Sequence, residues 1–185
     1  MPVMIWTSDS LHVFYGQYYL CDARVIPDQE TLLKVHDENS LIKAGPGHLV
    51  VLCGTHTGNV RLTVILCPAE PALGLDAWDA VVDLSHYSAE GDTWLTEWGG
   101  EPRWDAGLLS HTGPGWYRLR LEVRGRDEAM KFNTVLGEPV EEHAISIWPA
   151  PPAPEQVHKM ADDFGRRHWD SSRPPAPPVY PEAGS

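Results

Sequence analysis

From Trp116 to Arg124 the chain alternates without a break, with Tyr117, Leu119, Leu121 and Val123 apolar and Arg118, Arg120, Glu122 and Arg124 charged. Successive side chains of a strand point to opposite faces, so this period of two predicts a strand with its apolar face on a core and its charged face in solvent. Such a strand needs neighbours to pair its backbone, and other runs of the chain supply candidates. Leu11 to Leu20 is aromatic and β-branched enough to be one strand, with Gly16 a candidate bulge. His48 to Gly54 and Val60 to Leu66 read as a hairpin about Gly58-Asn59, and Met130 to Leu136 reads as the partner of the Trp116 strand across Gly125 to Glu128. Ala77 to Tyr87, Thr93 to Trp98 and Glu142 to Trp148 complete the set, the last stopped by Pro149. Seventeen prolines and 16 glycines in 185 residues fit many turns and exclude a helical bundle.

Gly45-Pro46-Gly47 opens the first predicted hairpin and Gly113-Pro114-Gly115 opens the second, an echo that suggests duplicated units facing each other. The expected fold is therefore all-β: one antiparallel β-sandwich, jelly-roll or immunoglobulin-like, of two echoing halves over residues 1–153. Helix is expected at Gln29 to His36 and in a C-terminal segment within residues 154–170, where Val157, Met160, Ala161 and Phe164 have helical spacing and Arg166-Arg167-His168 complement the helix dipole. Residues 171–185 carry five prolines and little apolar content, which predicts a disordered, polyproline-like tail.

The formal charge is −12, from 26 acidic and 14 basic side chains, which argues against direct binding to phosphate backbones and suits a basic protein partner. Cys21, Cys53 and Cys67 are odd in number and lack C-x-x-C spacing, so neither a disulfide framework nor a zinc ribbon is expected. With no apolar run of about 18 residues and no signal-peptide pattern at Met1 to Asp9, the expectation is a cytoplasmic chain without a membrane span.

Chemistry has few footholds. The chain lacks a Gly-x-Ser-x-Gly elbow, a P-loop and a dinucleotide fingerprint, and no cofactor is expected. Its histidines offer no His-x-His pair; His56 and His111, both near predicted turns, with His86 joining them, are the candidates for a metal-dependent site. Gly91 to Asp105 is more suggestive, because Trp94, Trp98 and Trp104 interleave with Asp92, Glu97, Glu101 and Asp105. Indoles among carboxylates can form a hot-spot patch for a basic partner or a platform for a sugar; the structural alternative puts Trp94 and Trp98 in the core.

Tyr117 to Asp127 and Glu141 to Pro152, with Gly54 to Gly58 and Leu75 to Asp79, resemble a family of uncharacterised actinobacterial proteins over most of residues 10–153, a resemblance that implies no activity. The aromatic strand His12 to Leu20 in a small acidic β-rich chain is also similar to the competence-type inhibitors of a DNA-entry nuclease. That resemblance implies an inhibitor or immunity protein that masks a basic toxin or nuclease. A non-enzymatic protein-binding role is thus the leading expectation, ahead of a carbohydrate- or small-ligand-binding sandwich and a histidine-based metal enzyme. The sequence leaves the oligomeric state open.

Overall fold

The computed structural model describes residues 1–167 and 169–181, without the side chains of residues 33 and 35–37. Its strands are β1 (Met4–Val13), β2 (Gln17–Asp22), β3 (Ile42–Gly45), β4 (His48–Leu52), β5 (Thr57–Leu66), β6 (Ala80–Ser88), β7 (Thr93–Thr96), β8 (Gly115–Arg124), β9 (Thr134–Val135), β10 (Glu142–Pro149) and β11 (Gln156–Met160). Helices are short: α1 (Gln29–Asp37), α2 (Arg126–Ala129) and α3 (Asp163–Arg166). No helix among the described residues is long and apolar enough to cross a membrane.

The strands form two sheets. The larger runs β1-β5-β10-β8-β6-β11, with β9 also on β5, and the smaller runs β3-β4-β2-β7. Tyr117, Leu119, Leu121 and Val123 of β8 share one core with Val60, Leu62, Val64 and Leu66 of β5 and with Tyr18, Leu20, Leu49, Val51 and Leu95 of the smaller sheet. The period-two reading of β8 therefore gave the right inner face. Its outer face is wet only toward Glu122 and Arg124: Arg118 and Arg120 are buried. Loops lie over that face, so Arg118 donates to the carbonyls of Ala153 (2.9 Å) and Pro154 (3.1 Å), while Arg120 grips Asp83 with two 2.9 Å bonds and reaches Pro71 O at 3.0 Å. A bidentate guanidinium–carboxylate pair offsets the desolvation that would otherwise forbid such burial.

The all-β expectation stands, but several finer expectations do not. The sheets are not wholly antiparallel, because β10 runs parallel to β5, as does β9. The expected hairpins are absent: β4 pairs with β2 and β3 while β5 belongs to the other sheet, and Met130 to Leu136 does not pair with β8, which lies between β10 and β6. The two echoing halves fail with them. The first Gly-Pro-Gly turn closes the true hairpin β3–β4, and the second merely leads into a central strand. Leu11 to Leu20 is two strands in different sheets, divided at a tight turn where Tyr15 (φ 54°) and Gly16 (φ 66°) are both left-handed.

The crossing from β4 to β5 explains the first failure. A Cβ on Gly54 would lie 2.2 Å from the carbonyl oxygen of Arg126, so glycine lets the backbone pass between the sheets. The amides exposed by that passage, Gly54 and Thr55, donate to Glu141 at 3.0 and 2.7 Å.

Helix α1 forms where expected, with Asp28 capping the Thr31 amide at 2.7 Å. The single C-terminal helix is replaced by edge strand β11 on β6 followed by the one-turn α3, because pairing with β6 satisfies the backbone of residues 156–160 better than a short isolated helix would. His168 of that expected segment lies outside the described residues. The tail over residues 171–181 has no helix or strand but runs back along the body, where the Glu155 amide donates to Ala176 O at 2.8 Å; residues 182–185 lie outside the described residues.

Candidate functional site

Along β2, residues Gln17, Tyr19 and Cys21 face away from the shared core, and on the neighbouring β7 so do Trp94 and Thr96. The loop after β2 (Ala23 to Pro27), Leu32 of α1 and the turn Trp98 to Pro102 rise on either side of this outer face. They enclose a cleft of about 660 Å³ with Tyr15 at one end. Its rim is aromatic. Tyr15 is 57% exposed and Trp98 41% exposed, and the two rings lie 5.4 Å apart in a triangle completed by Phe14, 4.4 Å from Tyr15 and 5.2 Å from Trp98.

The floor is rigid. Asp22 is buried and accepts from Ser88 Oγ (3.0 Å), the Ala89 amide (3.1 Å) and the Thr93 hydroxyl, with His86 Nε2 at 3.3 Å. Burial pushes its carboxyl up, yet the bonds from His86, Thr93 and Ser88 outweigh burial and hold its pKa below the usual aspartate value. Burial drives the Cys21 thiol up to about 12, away from the thiolate form.

Of the residues singled out in the sequence, Trp94 and Trp98 line the cleft, and neither is fully buried. Trp104, 66% exposed, is not among the cleft-lining residues but packs edge-on against Trp94 at 4.7 Å. The carboxylates divide. Arg103 bonds Glu97 at 2.9 Å and clasps Asp105 through both oxygens at 3.0 and 3.1 Å, while Trp6 Nε1 donates to Asp105 at 3.2 Å. These bonds, foremost those of Arg103, lower the Asp105 pKa. Glu101 stays exposed on the turn beside Trp98, and Asp92 is half-buried with one carboxylate oxygen enclosed. The local charge is thus smaller than four acidic residues suggest, and the exposed aromatic area is larger.

The three histidines proposed for a metal do not converge. His86 is buried between Asp22 and Thr93, His56 is exposed beside Tyr15, and His111 faces the carbonyl of Leu109. Among the described residues the convergent set is Cys53, Glu141 and His143, whose ligand-type atoms lie within 4.8 Å of one another. Sequence reasoning missed this set and also Tyr15 and Tyr19 of the cleft; the only local signal was Glu141-x-His143 at strand spacing. Both His143 nitrogens already have partners, Glu141 at 2.8 Å and the Tyr18 hydroxyl at 3.0 Å, and Cys53 is pushed well above an ordinary thiol by burial and by Glu141. Glu141, His143 and Tyr18 thus form a continuous buried hydrogen-bonded chain beside Cys53.

No family model and no curated protein matches the chain. Two solved structures are similar in fold. One is titled "Crocagin biosynthetic gene J", 16% identical, with a TM-score of 0.52 over 80% of this chain and 98% of the other. The second is ComJ from Bacillus subtilis, described as an inhibitor of the DNA degrading activity of NucA, 12% identical, with a TM-score of 0.48 over 80% of this chain and 100% of its own. At these identities the first likeness speaks for the fold alone, and the second is too distant to carry residues or activity across.

Proposed function

We propose that this chain is a non-enzymatic binding protein that holds a basic protein partner in the cleft on the outer face of its smaller sheet, acting as an inhibitor or immunity protein toward a toxin or nuclease. The observation that carries this reading is the pair of exposed rings, Tyr15 and Trp98, standing over a preformed concavity. Aromatic side chains beside a desolvated pocket are the usual anchors of protein interfaces. The net charge of −12 supplies long-range attraction toward a basic surface, which raises the association rate more than the final affinity. The sequence resemblance to competence-type nuclease inhibitors points to the same class of partner.

The test is titration of the purified protein into basic nucleases, NucA included, with DNA cleavage and heat of binding as readouts at low and high salt. The expected result is stoichiometric inhibition whose association rate falls as salt rises. Absence of binding and of inhibition across the panel overturns the reading.

A second reading rests on the cleft volume of about 660 Å³, which suits a small ligand such as a sugar stacked on Trp94 and Trp98. Quenching of tryptophan fluorescence by a glycan, lost in Trp94→Ala, favours it over a protein partner.

A further inference from the structure

A proline-rich segment needs no seat on a protein, since polyproline II has no internal hydrogen bonds and is well solvated. Residues 173–180 nevertheless have one. Ala176, Pro178 and Val179 are half-buried while Arg173, Pro174, Pro175 and Pro177 are exposed, so Ala176 and Val179, three apart, turn the same way. Three residues is the repeat of a polyproline II helix. Between these inward residues the Glu155 amide donates to Ala176 O at 2.8 Å. At the far end the Tyr180 ring meets Trp116 edge-on at 5.2 Å, and Trp116 in turn packs on Tyr87 at 5.1 Å.

The receiving surface is formed by Trp169, Val157, Glu38, Lys43 and Glu155, and segment 173–179 closes its other side, with a space of about 620 Å³ left between them. Glu38 pairs with Lys43 at 2.7 Å, and Asn39 holds Glu155 at 2.6 Å, so the groove's polar groups are positioned before any peptide arrives. Arg173, at the head of the segment, acts on Glu155 with opposite charge. Aromatic-lined grooves are what recognise polyproline peptides; here Trp169 supplies a ring in the groove and Trp116 one at the far end of the segment.

We propose that this groove is a binding site for an extended proline-rich peptide headed by a cationic residue, and that its occupant is the chain's own segment 173–180. The segment follows Trp169, itself a wall of the groove, so the tether is a few residues long and the effective concentration in cis is in the millimolar range. Peptide added to the intact chain must compete with that concentration. The site opens to trans peptide when the cis segment is unseated.

The experiment uses the full-length protein and a fluorescein-labelled peptide of residues 171–185, followed by anisotropy. Wild type is compared with Pro177→Gly/Tyr180→Ala, two exposed tail changes whose folding is checked by circular dichroism. The double variant is expected to bind the peptide at least about tenfold more tightly than wild type. Adding Trp116→Ala should reverse that gain, and Arg173→Ala in the peptide should remove its salt dependence. Equal binding to wild type and the double variant, or indifference to Trp116→Ala, overturns the proposal. Hydrogen exchange gives an independent check: the Glu155 amide should be protected in wild type and exchange faster in the double variant, and fast exchange in wild type also overturns it.

Discussion

Tyr18 and His143 meet across the interior, the phenol oxygen 3.0 Å from Nδ1, and they come from opposite sheets. His143 Nε2 lies 2.8 Å from Glu141, whose two oxygens also take the amides of Gly54 and Thr55 where the chain crosses between sheets. Glu141 therefore satisfies several buried groups at once, whereas Tyr18 supplies one hydrogen bond. Glu141→Ala leaves the buried Gly54 and Thr55 amides and His143 without their acceptor and should cost roughly 3 kcal/mol or more. Tyr18→Phe should cost about 1 kcal/mol. Urea unfolding of the two variants measures the ratio, and similar costs would remove Glu141 from this central role.

The same carboxylate shapes the acid limb of stability. Burial pushes Glu141 up, but the hydrogen bond and charge of His143 and the bonds from Thr55 prevail and hold it below the ordinary value of 4.5. A group depressed in the folded state contributes stability above its unfolded pKa and loses it as pH falls through the folded value. Asp22 acts in the same sense, while Glu122 and Glu155, raised chiefly by burial, act in the opposite one. Comparison with Glu141→Gln isolates the single residue: its stability, measured between roughly pH 3 and 7, should fall less steeply than wild type on the acid side. Parallel curves would count against the assignment.

Arg126 and Asp162 form a second buried pair, Nε to Oδ2 2.6 Å, with the guanidinium also donating to Ser40 O at 2.6 Å and lying 4.8 Å over the Phe164 ring. Asp162 sits just beyond β11, so the pair fastens the C-terminal edge strand to the body. Arg126→Ala leaves Asp162 buried without its partner and should cost roughly 3–5 kcal/mol. Replacing both, by Arg126→Met with Asp162→Leu, should be close to neutral. Faster hydrogen exchange in β11 of Arg126→Ala, largely restored in the double replacement, distinguishes local fastening from general damage.

These pairs also show why sequence periodicity reached some of the fold and missed the rest. The alternation of β8 reports one buried face, and that face was read correctly. Burial of Arg118 and Arg120 on the other face depends on loops at residues 67–79 and 149–155, which no local pattern announces. Strand partners were misread for a related reason: Gly58-Asn59, taken for a turn, lies inside β5 opposite Val13 and His12, and the chain passes from one sheet to the other earlier, at Gly54. In the cleft, the indoles of Trp94 and Trp98 stood out from composition, whereas Tyr15 gains its place from a left-handed turn that the sequence presents as an unbroken aromatic strand.

That turn provides the last prediction. A two-residue turn with both central residues left-handed ordinarily takes Asn-Gly or Gly-Gly, and a tyrosine at its first position bears strain of roughly 1 kcal/mol. Tyr15→Gly relieves that strain but removes a ring from Phe14 and Trp98, contacts worth about the same amount. The two effects should nearly cancel, leaving a change in stability below about 1 kcal/mol. Binding has no such compensation. If Tyr15 is an anchor for a basic partner, Tyr15→Gly should weaken that complex at least about tenfold, chiefly through faster dissociation. Trp98→Ala should act in the same direction, and Arg61→Ala, at an ion pair with Asp9 outside the cleft, should not. Surface plasmon resonance on these three variants separates the outcomes: full affinity in Tyr15→Gly and Trp98→Ala would move the interface away from the aromatic rim, because no buried anchor of an interface can be deleted without a change in dissociation rate.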